Sequence, residues 1–224
     1  MQNTKIAETI LSYFPDNYNG IFVEVGAAHP VNISVSFCFR PLAEQKRMWH
    51  FDQAHELDSK EPSGKWKIIS VEPNPEFCDE FKKMDIPVLQ YAACGEDKGK
   101  TTFKISPCPM SSSALEVRYS GPCPLENGAG GWWAADTFKT INVEALTLNT
   151  ILNRHHPEIN KIDVLIVDTE GWELEVVKGL DIKKFNPKII ILENVRSDPA
   201  YNTYMKSLWY KLDVTEDQDQ FYIR

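Results

Sequence analysis

Between residues 20 and 195 the chain repeatedly switches period. Short apolar runs alternate with segments whose apolar residues recur at helical spacing. That alternation restricts the fold to βαβ units, hence a largely parallel sheet with helices on both faces. Strands are expected at residues 20–26, 66–71, 88–92, 100–105, 140–145, 162–167 and 188–192. Helices are expected at 5–14, 75–84, 148–155, 173–180 and 201–210, and at the start of the charged stretch 44–67. Residues 211–214 and 221–223 read as a hairpin that adds an antiparallel edge. No repeat or linker interrupts the pattern. One domain over residues 1–224 is therefore expected, with 1–19 as a helical extension.

In open parallel sheets ligands bind beyond the carboxyl ends of the strands. Here those ends carry acidic or small residues: Glu24-Val25-Gly26-Ala27, Glu72-Pro73-Asn74, Ala92-Ala93, Asp168-Thr169-Glu170-Gly171 and Glu193-Asn194. Gly26 permits a tight turn and close backbone approach. Glu72 lies 46 residues beyond Gly26, where a carboxylate can accept both hydroxyl protons of a ribose. A dinucleotide site would want G-x-G-x-x-G and an acid about 20 residues on. The chain instead has Gly26-Ala27-Ala28-His29-Pro30, which removes a phosphate-cradling amide. A nucleoside ligand without phosphates fits better, and S-adenosylmethionine is one. Asp168 ends an apolar strand, and a carboxylate there needs a partner or a ligand.

Charge and composition narrow the partners. The net charge is −8, and no basic cluster of the kind that contacts phosphates appears, so nucleic acid is not expected. No run approaches the roughly 18 apolar residues of a membrane span. The first five residues lack the pattern of a signal peptide, so a cytoplasmic protein is expected. The five cysteines have no CxxC spacing and are read as thiols; a Cys108–Cys123 bridge is the alternative for that pair. Residues 106–137 hold four prolines, a Gly-Ala-Gly-Gly run and Trp132-Trp133. A loop of this length in a compact domain is usually a lid or binding loop, with Trp132 and Trp133 as stacking surfaces for an acceptor.

Taken together, these runs resemble the FkbM family of methyltransferases. The strongest match is residues 162–179, a hydrophobic strand, an Asp-x-Glu-Gly-x-Glu turn and a helix closed by Gly179. Val71-Glu72-Pro73-Asn74-Pro75, Ala92-Ala93, Leu146-Thr147-Leu148-Asn149 and Ile191-Leu192-Glu193 follow in the expected order. The resemblance implies a Rossmann-like class I methyltransferase with a seven-stranded sheet. It further implies methylation of a hydroxyl on a sugar or other small molecule. The chain departs from the family pattern at the first turn. Glu24 stands where Asp is usual, and Ala28-His29-Pro30-Val31 intervene before Asn32.

On this basis Glu24, Gly26, Ala27, Asn32, Glu72, Pro73, Asn74, Ala92, Ala93 and Asp168 are expected at the cofactor. Glu170, Glu193, Trp132 and Trp133 are expected at a small-molecule or glycan acceptor. Two routes to proton removal stay open. Asp168, Glu193 and Asn194 would hold Mg²⁺, which lowers a hydroxyl's pKa; or His29, beside the first turn, would act as a base without metal. The competing functions are a nicotinamide-dependent oxidoreductase and an inactive nucleoside-binding or scaffold protein.

Overall fold

The computed structural model describes residues 2–52, 64–105 and 139–224. The expected lid, with Trp132, Trp133, Cys108 and Cys123, lies outside the described residues.

Four parallel strands form the centre: β1 (Gly20–Val25), β2 (Trp66–Val71), β6 (Val164–Val167) and β7 (Ile189–Glu193). The hairpin of β8 (Lys211–Glu216) and β9 (Asp219–Ile223) closes one edge, giving the order β2-β1-β6-β7-β9-β8. A smaller sheet, ordered β3-β5-β4, holds β3 (Ala92–Cys94), β4 (Gly99–Ile105) and β5 (Lys139–Thr147). The seven-strand expectation is thus corrected to six among the described residues. The seventh position survives as a single parallel bridge, Val71 to Leu89. Leu89 donates its N–H to Ser70 and accepts from Glu72 N–H. Pro87 precedes it without a donor, and the chain turns back at once through Tyr91 N–H to Leu89 O.

Alternation assigns the faces. Phe22, Val164, Ile166, Ile189, Ile191 and Phe221 point to one side. They pack against Ile6, Ala7 and Ile10 of α1 (Gln2–Ser12) and against Val35 and Phe39 of a 3₁₀ helix (Val35–Phe39). Val23, Leu165, Val167, Ile190 and Leu192 point to the other side. There they meet α4 (Leu148–His155), α5 (Glu173–Lys178), α6 (Ile182–Phe185) and α7 (Pro199–Ser207). The remaining helices are α2 (Leu42–Asp52) and α3 (Pro75–Lys83), the latter packing Phe81 with Ala27 and Met48. Gly179, which closes the helical part of the family-like run, is needed for contact: a side chain there would meet the Cys94 carbonyl oxygen at 2.2 Å. No described helix is long and apolar enough to cross a membrane.

Register levels the strand ends. Val25 pairs with both Val71 and Val167, and Val167 with Leu192. Gly26, Glu72, Asp168 and Glu193 therefore leave the sheet along one rim. The antiparallel pairing of Glu193 with Asp219 brings a further carboxylate to it.

Candidate functional site

The first turn is built by hydrogen bonds to its own acids. Gly26 (φ +81°) donates to the Val71 carbonyl at 2.9 Å. Ala28 also has a positive φ, +47°, and its N–H donates to Glu72 Oε2 at 2.8 Å. The other oxygen of Glu72 accepts from Asn74 N–H at 2.7 Å. One buried carboxylate thus joins the turns after β1 and β2, and each oxygen keeps a second acceptor direction. Burial pushes Glu72 up to about 7, against the two amides, which favour its charged form. Pro73 is half-buried between them. Asn74 caps α3, its side chain accepting from Glu76 N–H at 3.0 Å, with Pro75 in the first turn. Asn74→Ala is expected to cost about 1 kcal/mol in a urea titration, the usual loss of an N-cap.

Several residues expected at the cofactor or as a base are engaged in contacts of their own. Glu24 is buried, and its carboxylate accepts from Ser34 Oγ at 2.6 Å and from Val35 N–H at 2.7 Å. It therefore ties the loop and the 3₁₀ helix to the end of β1; burial raises its pKa. His29 Nδ1 accepts from Val31 and Asn32 N–H, both at 3.3 Å. These bonds tie the His29 ring into the turn that follows Gly26. Asn32 itself is exposed. Ala92 and Ala93 are buried residues of β3, in two different apolar clusters.

Asp168, Glu170 and Glu193 do come together, each offering a carboxylate oxygen within 4.8 Å of the others. Asp168 is pushed up to about 7, first by burial, then by the charges of Asp219 and Glu173; its hydrogen bond with Glu193 opposes this. Glu193 is raised well above the ordinary carboxylate range by burial and by the charge on Asp168. Two such close carboxyls disfavour being charged at the same time. Asn194, expected as a metal ligand beside them, has its amide in hydrogen bonds of its own. Its Nδ2 donates to Asp198 O and to Gln220 Oε1, both at 3.1 Å, and its Oδ1 accepts from Asp198 N–H at 2.9 Å. Glu170, expected at the acceptor, lies beside Asp168 and Glu193 on the same rim.

Sequence reasoning missed three residues here. Glu173 closes the Asp-x-Glu-Gly-x-Glu run but carries no role in the sequence reading, and it is fully buried beneath the 168–171 turn. Tyr201 hydrogen-bonds it from α7. Asp219 enters only through the hairpin register. Beside the acids, a pocket of about 270 Å³ is lined by Gly171, Leu174, Glu175, Asn194, Arg196, Asp198 and Tyr201.

The fold and rim define a Rossmann-like α/β protein with acidic residues gathered at its strand ends. The model of the methyltransferase FkbM domain matches residues 24–212, and the chain belongs to that family of methyltransferases. α1 and β9, with Asp219, lie outside the matched range. No curated protein matches the chain. Among solved structures, the chain is similar to precorrin-6y C5,15-methyltransferase from Geobacter metallireducens GS-15. The identity is 12%, over 98% of this chain and 86% of that one, with a TM-score of 0.41.

Proposed function

We propose that the protein transfers a methyl group from S-adenosylmethionine to a hydroxyl of a sugar or another small polar molecule. Glu72 is the observation that carries this proposal. It is a buried carboxylate at the end of β2, tied to both turns through one acceptor direction on each oxygen. The second direction on each is what a ribose diol requires. The acids beyond it suit a ligand carrying sulfonium and ammonium charges, since the charges that raise Asp168 and Glu193 are all carboxylates.

Gly26 and Ala27 would face the methionine moiety, and Glu72, Pro73 and Asn74 the nucleoside. When bound, the donor would supply a methyl carbon on its sulfonium sulfur, the C–S bond breaking as the O–C bond forms and S-adenosylhomocysteine leaving as a neutral thioether. The protein's part is to align the acceptor oxygen with that carbon and to receive its proton. Asp168 or Glu193, in the deprotonated form of the pair, accepts the proton as the new O–C bond forms. Glu170 and Glu193 border the acceptor. The adjoining pocket would receive the rest of a small molecule, and the acidic rim would discourage an anionic one.

The three carboxylate oxygens of Asp168, Glu170 and Glu193 also fit a divalent cation. Mg²⁺ held there would lower the hydroxyl's pKa. Undiminished turnover in chelator, with no divalent binding by calorimetry, would remove it. The nicotinamide alternative loses its ground to the family assignment; the inactive-scaffold alternative predicts donor binding without transfer to any acceptor.

Calorimetry with S-adenosylhomocysteine is the first test, followed by labelled donor with a panel of glycans and small hydroxylated acceptors. Glu72→Gln should weaken S-adenosylhomocysteine roughly 10- to 100-fold, the range for one charged hydrogen-bonding group. Failure of the wild type to bind at millimolar concentration would defeat the proposal.

A further inference from the structure

We propose that Glu173 and Tyr201 form a latch that sets the spacing of the two arms of the site, the turn carrying Asp168 and Glu170 and the strand end carrying Glu193. They are positioning residues, since neither is placed against the reacting atoms. The functional half of this proposal rests on the methyl-donor assignment above.

Glu173 is the first residue of α5, with 0% of its surface exposed. Its Oε1 accepts from Thr169 N–H at 2.9 Å and from Gly171 N–H at 3.0 Å. These amides flank Glu170, which has φ +58°, and Gly171 follows at +92°. A left-handed residue that is not glycine persists only where its surroundings hold it, and here one carboxylate oxygen gathers the amides on either side. Its other oxygen accepts a hydrogen bond from Tyr201 Oη of α7. Tyr201 is itself buried, and α7 is capped by Asp198. Asp198 is bound from both backbone groups to the side chain of Asn194, the neighbour of Glu193.

A closed path therefore runs from the 168–171 turn through Glu173, Tyr201, Asp198 and Asn194 to Glu193. The pocket lies inside that bracket, since Gly171, Asn194, Asp198 and Tyr201 all line it. An apolar residue at position 173 would pack α5 on the core as well as glutamate does. Only an acceptor gathers two amides of the turn while taking a hydroxyl from another helix. Burying a carboxylate for packing alone would be a costly choice. This also accounts for Asn194: its amide holds α7 in place instead of a cation.

The test uses the full chain with Tyr201→Phe, Glu173→Gln and Glu173→Leu. Three quantities are measured: amide hydrogen exchange at Thr169 and Gly171, S-adenosylhomocysteine affinity by calorimetry, and Tm. Tyr201→Phe should speed exchange at both amides by about tenfold and weaken affinity about threefold to tenfold. Glu173→Gln keeps an acceptor oxygen for the turn and should stay within about threefold of wild-type affinity, whereas Glu173→Leu should lose about tenfold or more. Wild-type exchange at Thr169 and Gly171 in Tyr201→Phe overturns the latch. So does an affinity loss as large in Glu173→Gln as in Glu173→Leu. Should Glu173→Leu not fold, Tyr201→Phe and Glu173→Gln decide by the same exchange readout. If wild type binds no S-adenosylhomocysteine while the exchange pattern appears as expected, the latch stands and the methyl-donor assignment fails.

Discussion

Gly26→Ala should destabilise the protein by at least about 3 kcal/mol and abolish donor binding in whatever fraction folds. Two separate costs add at this position. The residue has φ +81°, a region in which a side chain costs roughly 1–2 kcal/mol. In addition, a Cβ would stand 1.7 Å from the carbonyl oxygen of Asp168 and 2.8 Å from its carbonyl carbon. Both are backbone atoms and cannot swing aside. Asp168 N–H is fixed to Val25 O at 3.0 Å and Gly26 N–H to Val71 O at 2.9 Å. Relief therefore requires β1 and β6 to part at the rim where the acids sit. Gly99 supplies the control. It too has positive φ, +66°, but nothing lies within 4 Å of an added Cβ. Gly99→Ala should show the conformational cost alone, about 1 kcal/mol. The difference between the two urea midpoints measures the contact with Asp168. Equal losses would mean that the two turns are not packed as described, and the close approach of cofactor loop to acid would have to be abandoned.

That contact also shows what could be read in advance and what could not. Gly26 was legible as a tight turn because glycine after an apolar run has few other meanings. Its neighbour across the rim was not, since the strand carrying Asp168 lies far away in sequence. The parallel sheet and its acidic rim follow from period and position: the acids stand where the apolar runs stop, and the parallel register levels those ends. Which way each acid turns did not follow. A carboxylate one residue before a strand's end can face a ligand or its own loop, and Glu24 takes Ser34 and Val35 as partners because the widened first turn brings their donors back over it. Residue type alone suggests chemistry for Asn194 and His29; the hydrogen bonds of Asn194 Oδ1 to Asp198 N–H and of His29 Nδ1 to Val31 and Asn32 N–H are visible only in the structure. Ala92 and Ala93 were placed at a strand end by chain order. Their partner strand comes from residues 145–147, a pairing that no local pattern announces. Glu173 had a visible signal, an acid at the first position of a helix following a glycine turn. Its burial depends on Tyr201, 28 residues on.

Asp168→Asn should lower turnover by about 10²- to 10⁴-fold, the usual range for losing a positioned proton acceptor, and at the same time make the folded protein more stable at pH 8. The two effects share one cause. Unfolded, Asp168 loses its proton near its ordinary value of 3.8; folded, it keeps it up to about 7. Between those values the native state binds more protons than the unfolded chain. The contribution of this group is therefore fully present below 3.8 and is lost as pH rises to 7. Allowing for the side of Asp168 open to the cleft, that loss is on the order of 2 kcal/mol. Asparagine carries no charge at any pH and offers an N–H to Glu193, so the decline should flatten and the urea midpoint at pH 8 should rise. A ligand with positive charge reverses the balance in the wild type by favouring ionised carboxylates. S-adenosylmethionine carries one more positive charge than S-adenosylhomocysteine. Wild type should bind the charged form relatively better as pH rises from 6 to 8, and Asp168→Asn should lose most of that preference. An asparagine variant with wild-type turnover, or one whose preference between the two ligands still follows pH as in wild type, would take Asp168 out of the chemistry and leave Glu193 or Glu170 to accept the proton.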